Sequence, residues 1–173
     1  MDRFIVWLAS AGYSGNFPFA PGTAGTVVGI LVYIIFSCFP APIYLLSLAA
    51  VFFLAWWAAD RAGIILGKMD SPRIVIDEIV GYLITMVLLP RTLTTIIGGF
   101  LFFRVLDIIK PPPARFIDRK MQGGLAVVLD DAVAGIYANL LLQAIAQWYP
   151  HLLFIIDRWV LGPVYRGVRY RGR

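Results

Sequence analysis

Five acidic residues stand inside apolar stretches of this sequence, in "IVIDEIVG", "FRVLDIIK" and "VVLDDAVAG". They are Asp77, Glu78, Asp107, Asp130 and Asp131. A carboxylate among apolar neighbours is costly unless it is ion-paired, hydrated or bound to a metal. A ligand set of oxygen atoms, without cysteine or histidine, favours a hard cation such as Mg²⁺, or Mn²⁺. We therefore predict that these carboxylates form a divalent metal site.

Ion pairing is the alternative explanation for one of the five. Asp107 is three residues from both Arg104 and Lys110, so either basic side chain can reach it along one helix face. The adjacent acidic pairs, Asp77–Glu78 and Asp130–Asp131, have too few basic partners to be neutralised by ion pairing. Arg104 is the only basic residue well inside an apolar stretch. Neighbouring helix residues point about 100° apart, so one member of each pair can face a metal while the other contacts a water, a second ion or a basic side chain.

A second candidate segment is "NFPFAPGTAGT", residues 16–26. Gly22 and Gly25 free the backbone, and Thr23 or Thr26 can cap the helix that follows. Exposed N–H groups at a helix N-terminus favour an anion such as phosphate. A turn with a helix cap explains the same residues without a ligand, and the segment is not a Walker A loop because no Gly-Lys-Ser/Thr follows.

The composition predicts that these residues lie in a membrane protein. The chain has 173 residues, a length typical of one domain, and 60% of them are hydrophobic while 14% are charged. Mean hydropathy is +0.81. The net charge of +5 indicates basic loops beside anionic lipid rather than nucleic-acid binding, for which the sequence holds no motif. We predict an all-α, polytopic membrane bundle that forms a single domain over residues 1–173.

About five hydrophobic segments position the candidate residues, and the first of them is short beside the roughly 20 residues of a typical span. They are Val27–Phe39, Ile43–Ala59, Ile74–Leu89, Leu93–Ile109 and Leu125–Tyr149. The placement of the basic C-terminal segment 150–173 stays open, because five spans would leave it outside the cell. Either it returns as an interfacial helix or the number of spans differs by one.

The loop charges predict the orientation. The loops 60–73 and 110–124 carry most of the basic residues between the segments, so by the positive-inside rule they are cytoplasmic, as is the N-terminus. With a rise of about 1.5 Å per residue, Glu78, Asp107 and Asp131 lie roughly 4–9 Å from those loops. Three helices are thus expected to bring carboxylates to one level, just below the cytoplasmic surface.

Four motifs in this order resemble those of the phosphatidylglycerophosphatase A family, bacterial membrane enzymes that remove the terminal phosphate of phosphatidylglycerol phosphate. The motifs are "APGTAGT" (20–26), "DSPRIVIDEIVG" (70–81), "FRVLDIIKPPP" (103–113) and "GGLAVVLDDAVAGIYAN" (123–139), and the resemblance extends over about residues 10–149. Leu106, Ala126, Thr26 and Phe19 depart from the family pattern, but none of these changes removes a carboxylate.

The resemblance implies an Mg²⁺-dependent lipid phosphatase of phosphatidylglycerol biosynthesis in the bacterial inner membrane, with its site facing the cytoplasm and a phospholipid as substrate. It implies that the five acidic residues hold Mg²⁺. Asp131 or Asp77, as a carboxylate not bound to the metal, would act as general base in metal-assisted hydrolysis. A route through an aspartyl-phosphate intermediate is the alternative, since carboxylates can serve as nucleophiles. The residues implied to bind the phosphate are Gly22, Thr23, Thr26, Arg104 and Lys110. The oligomeric state stays open.

Two other functions compete with this interpretation. A small cation carrier or channel subunit would also place carboxylates within the membrane, but near its midplane rather than at one interface. A CDP-alcohol phosphotransferase is likewise metal-dependent and membrane-embedded, but its pattern of aspartates spaced by Gly, Ala and Arg on one stretch is absent.

Overall fold

The protein is all-helical, as its sequence predicts. The computed structural model describes residues 1–155, apart from the side chains of residues 118, 119, 153 and 154; residues 156–173, most of the basic C-terminal segment, lie outside the described part. Within residues 1–155 no strand forms, and the α-helices are α1 (Asp2–Ala9), α2 (Pro21–Phe36), α3 (Ala41–Leu66), α4 (Ile76–Thr85), α5 (Leu93–Ile109), α6 (Ala114–Lys120) and α7 (Gly124–Trp148). Short 3₁₀ turns cover Ser14–Asn16 and Pro150–Phe154.

Each of the five hydrophobic segments contains one helix, in α2, α3, α4, α5 and α7, but several ends differ from the prediction. Helix α2 begins at Pro21, where the fixed φ of proline suits the first helical position. Thr23 and Thr26 therefore lie inside α2 and neither caps it. Helix α3 continues to Leu66 and ends at Gly67, whose φ of 70° allows a left-handed cap.

Helix α4 lies at the centre of the bundle and is too short to cross a membrane. Nine of its ten residues are buried, and it packs mainly against α7, α2 and α3. Ten helical residues extend about 15 Å, half of a bilayer core of roughly 30 Å. The segment 74–89 is therefore a buried half-length helix with a turn, rather than a full span.

Side chains of α7 explain how α4 can end inside the bundle. The last carbonyl groups of a helix have no partner within it and need one where water is excluded. The Asn139 amide donates hydrogen bonds of 2.8 Å to both the Thr85 and the Val87 carbonyl oxygens. Gln143 donates a further bond of 3.2 Å to Val87. These side-chain amides supply hydrogen-bond donors to carbonyl groups at and just beyond the end of α4. The helix can therefore end in an apolar interior.

Two glycines bring α4 and α7 into backbone contact. A Cβ atom added to Gly135 would collide with the Gly81 carbonyl oxygen, and one added to Gly81 would lie 2.9 Å from the Asp131 carbonyl oxygen. Small residues permit such close crossings between membrane helices. This contact sets the acidic pair of α4 beside the acidic pair of α7.

The protein presents two helices of membrane-spanning length and hydropathy among its described residues, α3 and α7. In the most apolar 18-residue window of α3, only 17% is buried inside the protein. Large apolar side chains, including Phe53, Trp56 and Trp57, remain uncovered on α3. A continuous apolar surface of this kind is typical of contact with lipid, so the protein is membrane-associated.

Candidate active site

The predicted carboxylates line one cavity of about 600 Å³ at one end of the bundle. All five are present, together with Gly22, Arg104 and Lys110 from the predicted phosphate-binding set. Helices α2, α4, α5 and α7 contribute these residues, and the loops 69–72 and 121–123 complete the wall. Tertiary packing therefore unites four motifs that are up to about a hundred residues apart in sequence.

Three carboxylates, one from each of α4, α5 and α7, converge closely enough to share a cation. One ligand oxygen each of Glu78, Asp107 and Asp131 lies within 4.8 Å of the others. Glu78 and Asp131 are buried, with 7% and 3% of their surface exposed. We call these three residues the carboxylate trio.

Basic side chains neutralise part of the acidic charge. Arg104 Nη1 forms ion pairs with Glu78 and, at 3.0 Å, with Asp107 Oδ2. Of the two partners that the sequence left open for Asp107, Arg104 therefore contacts it at ion-pair distance. Lys110 Nζ forms an ion pair with Asp130 Oδ2 from α7. The site thus combines anionic ligands for a cation with cationic groups that can contact phosphate.

Two buried carboxylate oxygens indicate that the site is incomplete without a ligand. Asp77 Oδ1 and Asp131 Oδ2 have no hydrogen-bond partner among the described residues. A buried acceptor without a donor is costly, and such groups in native proteins are usually satisfied by water or an ion. The atoms available to bind a metal here are carboxylate oxygens on rigid helices, and such ligands suit a hard divalent cation.

The first turn of α2 closes the cavity opposite the carboxylates. Gly22 has no room for a side chain, because an added Cβ would collide with Glu78 Oε1 and lie 3.1 Å from both terminal nitrogens of Arg104. Ala20, Pro21 and Gly22 line the cavity at the end of α2 where unpaired backbone N–H groups favour an anion. The backbone of Gly22 and the guanidinium of Arg104 are therefore adjacent in the cavity wall.

The two threonines of the phosphate-binding prediction lie elsewhere. Neither Thr23 nor Thr26 is among the described residues that line the cavity. Thr26 is fully buried behind it, with its hydroxyl 3.0 Å from Glu78 Oε2 and 2.9 Å from the Gly22 carbonyl oxygen. In this position Thr26 contacts a carboxylate of the trio rather than the cavity.

Asp60, the first residue of the basic loop predicted over 60–73, supports the start of α7. It lies within α3, and its Oδ1 accepts a 3.0 Å hydrogen bond from the Gly124 backbone N–H at the start of α7. A Cβ on Gly124 would lie 2.7 Å from the Asp60 Cα, so the two helices touch there. Asp60 acts as a cap from outside the helix and fixes the end of α7 that carries Asp130 and Asp131. The Gly-Gly pair at the start of α7 was the only sequence signal of this approach.

Comparisons with known proteins identify the family of the chain. The sequence model described as phosphatidylglycerophosphatase A matches residues 7–146. The chain is similar to a phosphatidylglycerophosphatase A of Haemophilus influenzae, with 35% identity over 83% of this chain and 90% of that protein. A phosphatidylglycerophosphatase A of Escherichia coli is 32% identical over 79% of this chain and 80% of its own length.

A further relative is named for a different substrate. This protein of Bacteroides thetaiotaomicron, provisionally named a phosphatidylinositol-3-phosphatase, is 34% identical over 84% of this chain and 95% of its own. No solved structure matches the chain.

Proposed function

The chain belongs to the phosphatidylglycerophosphatase A family, and on that premise we propose that it hydrolyses phosphatidylglycerol phosphate to phosphatidylglycerol and inorganic phosphate. One observation supports this most directly: the family match spans the whole acidic cavity, where carboxylates face two basic side chains and a helix N-terminus. We further propose that the protein is a multi-pass protein of the bacterial inner membrane, that its cavity opens toward the cytoplasm, and that it acts in glycerophospholipid biosynthesis.

We propose Mg²⁺ as the cofactor. The carboxylate trio of Glu78, Asp107 and Asp131 would hold it, because these oxygens come from three helices and lie within 4.8 Å of one another. Asp77 and Asp130 line the same cavity and would hold waters of the ion or a second ion. Bound Mg²⁺ would neutralise charge on the phosphoryl oxygens and orient a water molecule.

Asp77 is the better placed of the two candidates for general base. It is buried in the first turn of α4 and lies outside the trio, while its Oδ1 has no donor among the described residues. This oxygen is available to accept a proton from an attacking water, the step that a general base performs in hydrolysis. Asp131, the other candidate, directs one oxygen into the trio.

The phosphate would bind between the trio and the first turn of α2. Arg104 and Lys110 supply charged donors from α5 and its C-terminal end, and the backbone at Gly22 supplies neutral ones. The remaining wall, formed by the loops 69–72 and 121–123, would contact the rest of the headgroup. The acyl chains would then lie along the exposed apolar surface of the bundle.

Phosphatidylinositol 3-phosphate is the second candidate substrate, favoured by the name of the Bacteroides relative. The two lipids share a phosphate monoester and differ in the alcohol that bears it. The chemistry at the trio would be the same for both, so the headgroup wall would decide between them.

The test is inorganic phosphate release by the purified protein in detergent. Phosphatidylglycerol phosphate, phosphatidylinositol 3-phosphate and phosphatidic acid are compared with Mg²⁺, without added metal and with EDTA. We expect release that requires Mg²⁺ and is fastest with phosphatidylglycerol phosphate. If folded protein releases phosphate from none of the lipids, the function is wrong and a cation carrier becomes the better explanation of the carboxylates.

A further inference from the structure

We propose that Arg104 is a built-in counter-cation of the metal site: it occupies the trio until a divalent cation binds, and cation binding then releases its guanidinium to a phosphate monoester. The first half concerns only this chain and the cation. The second half rests on the proposed function.

The geometry of Arg104 supports the first half. A single nitrogen, Nη1, contacts two of the three trio members, Glu78 and Asp107. The Arg104 side chain is 16% exposed, so it lies inside the site rather than at its rim. A guanidinium that bridges two carboxylates in this way does electrostatically what a bound cation would do.

The third trio member shows that the guanidinium is not a full substitute. Asp131 Oδ2 is buried and has no hydrogen-bond partner among the described residues, although Arg104 satisfies its two neighbours. A divalent cation held by all three carboxylates would satisfy this oxygen as well. It would also place two positive charges beside Arg104 Nη1, which contacts two of these carboxylates, and like charges at contact distance repel strongly in a partly buried site. Binding of the cation and the present position of Arg104 therefore exclude each other.

The guanidinium of Arg104 lies beside a place where a phosphate could bind. Both terminal nitrogens of Arg104 lie beside Gly22, at 3.1 Å from the position of a built Cβ atom. That space adjoins the first turn of α2, whose unpaired N–H groups favour an anion. A phosphate oxygen there would receive bonds from both the backbone and Arg104. The guanidinium would exchange partners without leaving the cavity, so the cation and the phosphate would bind cooperatively, with the cation first.

The test measures cation binding without any lipid substrate. Mn²⁺ is titrated into the purified full-length protein in detergent, and free Mn²⁺ is followed by electron paramagnetic resonance for the parent, Arg104→Met and Arg104→Lys. Arg73→Met serves as the matched control, because Arg73 is exposed in the loop just before α4. We expect Arg104→Met to bind Mn²⁺ about tenfold or more tightly than the parent, and Arg73→Met to stay within about twofold.

Thermal unfolding provides a second readout. Without metal, Arg104→Met should unfold at a lower temperature than the parent, because Glu78 and Asp107 lose their counter-charge, and Mg²⁺ should raise its unfolding temperature more than that of the parent. If Arg104→Met does not fold without metal, Arg104→Lys decides the question: it retains the charge but not the planar fork, so we expect Mn²⁺ affinity above that of the parent. Equal or weaker Mn²⁺ binding by the folded variants would overturn the proposal.

Binding of inorganic phosphate tests the exchange of partners. The parent should bind phosphate at least about tenfold more tightly with Mn²⁺ than without it, and Arg104→Met should bind Mn²⁺ but lose most of this gain. Phosphate affinity that does not depend on Mn²⁺ would overturn the second half. A failed lipid assay would contradict the proposed function without affecting the Mn²⁺ titration.

Discussion

At the scale of single residues, the five carboxylates differ in their surroundings although the sequence presents them as one set. Glu78 and Asp107 share Arg104, and Asp130 pairs with Lys110. Asp77 and Asp131 each keep a buried oxygen without a partner among the described residues. Because unsatisfied buried acceptors are costly, Asp77 and Asp131 have the most to gain from a ligand.

The sequence predicted which acidic residues would meet but not the contacts that distinguish them. Carboxylates in apolar stretches are visible in one sequence, because their cost is local. The bond between Thr26 and Glu78 joins residues 52 positions apart, and no spacing rule connects them. The sequence therefore placed Thr26 with the phosphate ligands, whereas its hydroxyl lies against the trio.

Thr26→Val tests whether this hydroxyl positions Glu78. Valine keeps the shape but removes the hydrogen bond, so we expect about a tenfold loss of phosphate release at low Mg²⁺ that high Mg²⁺ partly restores. Thr26→Ser keeps the hydroxyl and should behave as the parent. The measurement is release of phosphate against Mg²⁺ concentration. Identical curves for Thr26→Val and the parent would show that the hydroxyl does not serve the site.

Gly22→Ala tests the close approach of α2. The added methyl group would displace Glu78 or Arg104, so we expect at least about a tenfold fall in kcat/KM. Gly98→Ala in α5 is the control, because its Cβ would meet only Leu142, at 3.4 Å, and alanine favours a helix by about 1 kcal/mol over glycine. Parental activity in both variants would show that the close approach of α2 at Gly22 is not needed by the site.

At the scale of helices, the length of α4 is the feature that the sequence predicted least accurately. Hydrophobic residues continue past its end through Val87, Leu88 and Leu89, so hydropathy alone predicted a span to residue 89. The helix can end at Thr85 because Asn139 of α7 donates a hydrogen bond to the Thr85 carbonyl oxygen, while Asn139 and Gln143 both donate to that of Val87, just beyond the helix. That reason is tertiary and could not be inferred from local composition. The half-length helix places its N-terminus, with Asp77 and Glu78 in the first turn, in the cavity.

Asn139→Leu tests this explanation of the helix end. The substitution leaves the Thr85 carbonyl oxygen without its side-chain donor and the Val87 carbonyl oxygen with only the 3.2 Å bond from Gln143, so we expect a loss of about 1–3 kcal/mol of stability, visible as a lower unfolding temperature in detergent. Gln147→Leu, at an exposed position of the same helix, should change it little. Equal unfolding temperatures for the two variants would contradict the role of Asn139.

At the scale of the whole molecule, an apolar body carries a charged cavity at one end. The all-α architecture and the membrane association were predictable, because both follow from hydropathy over long segments. The orientation toward the cytoplasm remains a prediction from loop charges. Cation and headgroup chemistry at one end of the bundle suits a substrate whose phosphate lies at the membrane surface and whose chains lie in the bilayer.

The charges of the cavity link its two proposed ligands. Its six carboxylates, the five predicted ones and Asp70, outnumber the basic side chains Arg104 and Lys110, so a phosphate dianion would be repelled unless a cation binds as well. We expect EDTA to abolish phosphate release without unfolding the protein, because Arg104 and Lys110 still hold three of the carboxylates. Parallel measurement of activity and unfolding temperature checks this. Full activity in EDTA would contradict the cation requirement.

The measurement that tests the central claim most directly is phosphate release from phosphatidylglycerol phosphate by Asp131→Asn. This change removes one negative charge from the trio and keeps the shape of the side chain. We predict a fall of about a thousandfold or more in turnover, with expression and unfolding temperature close to those of the parent. Asp2→Asn, at the exposed start of α1, should retain full activity. Turnover by Asp131→Asn within about tenfold of the parent would contradict the claim that the acidic cavity is the active site.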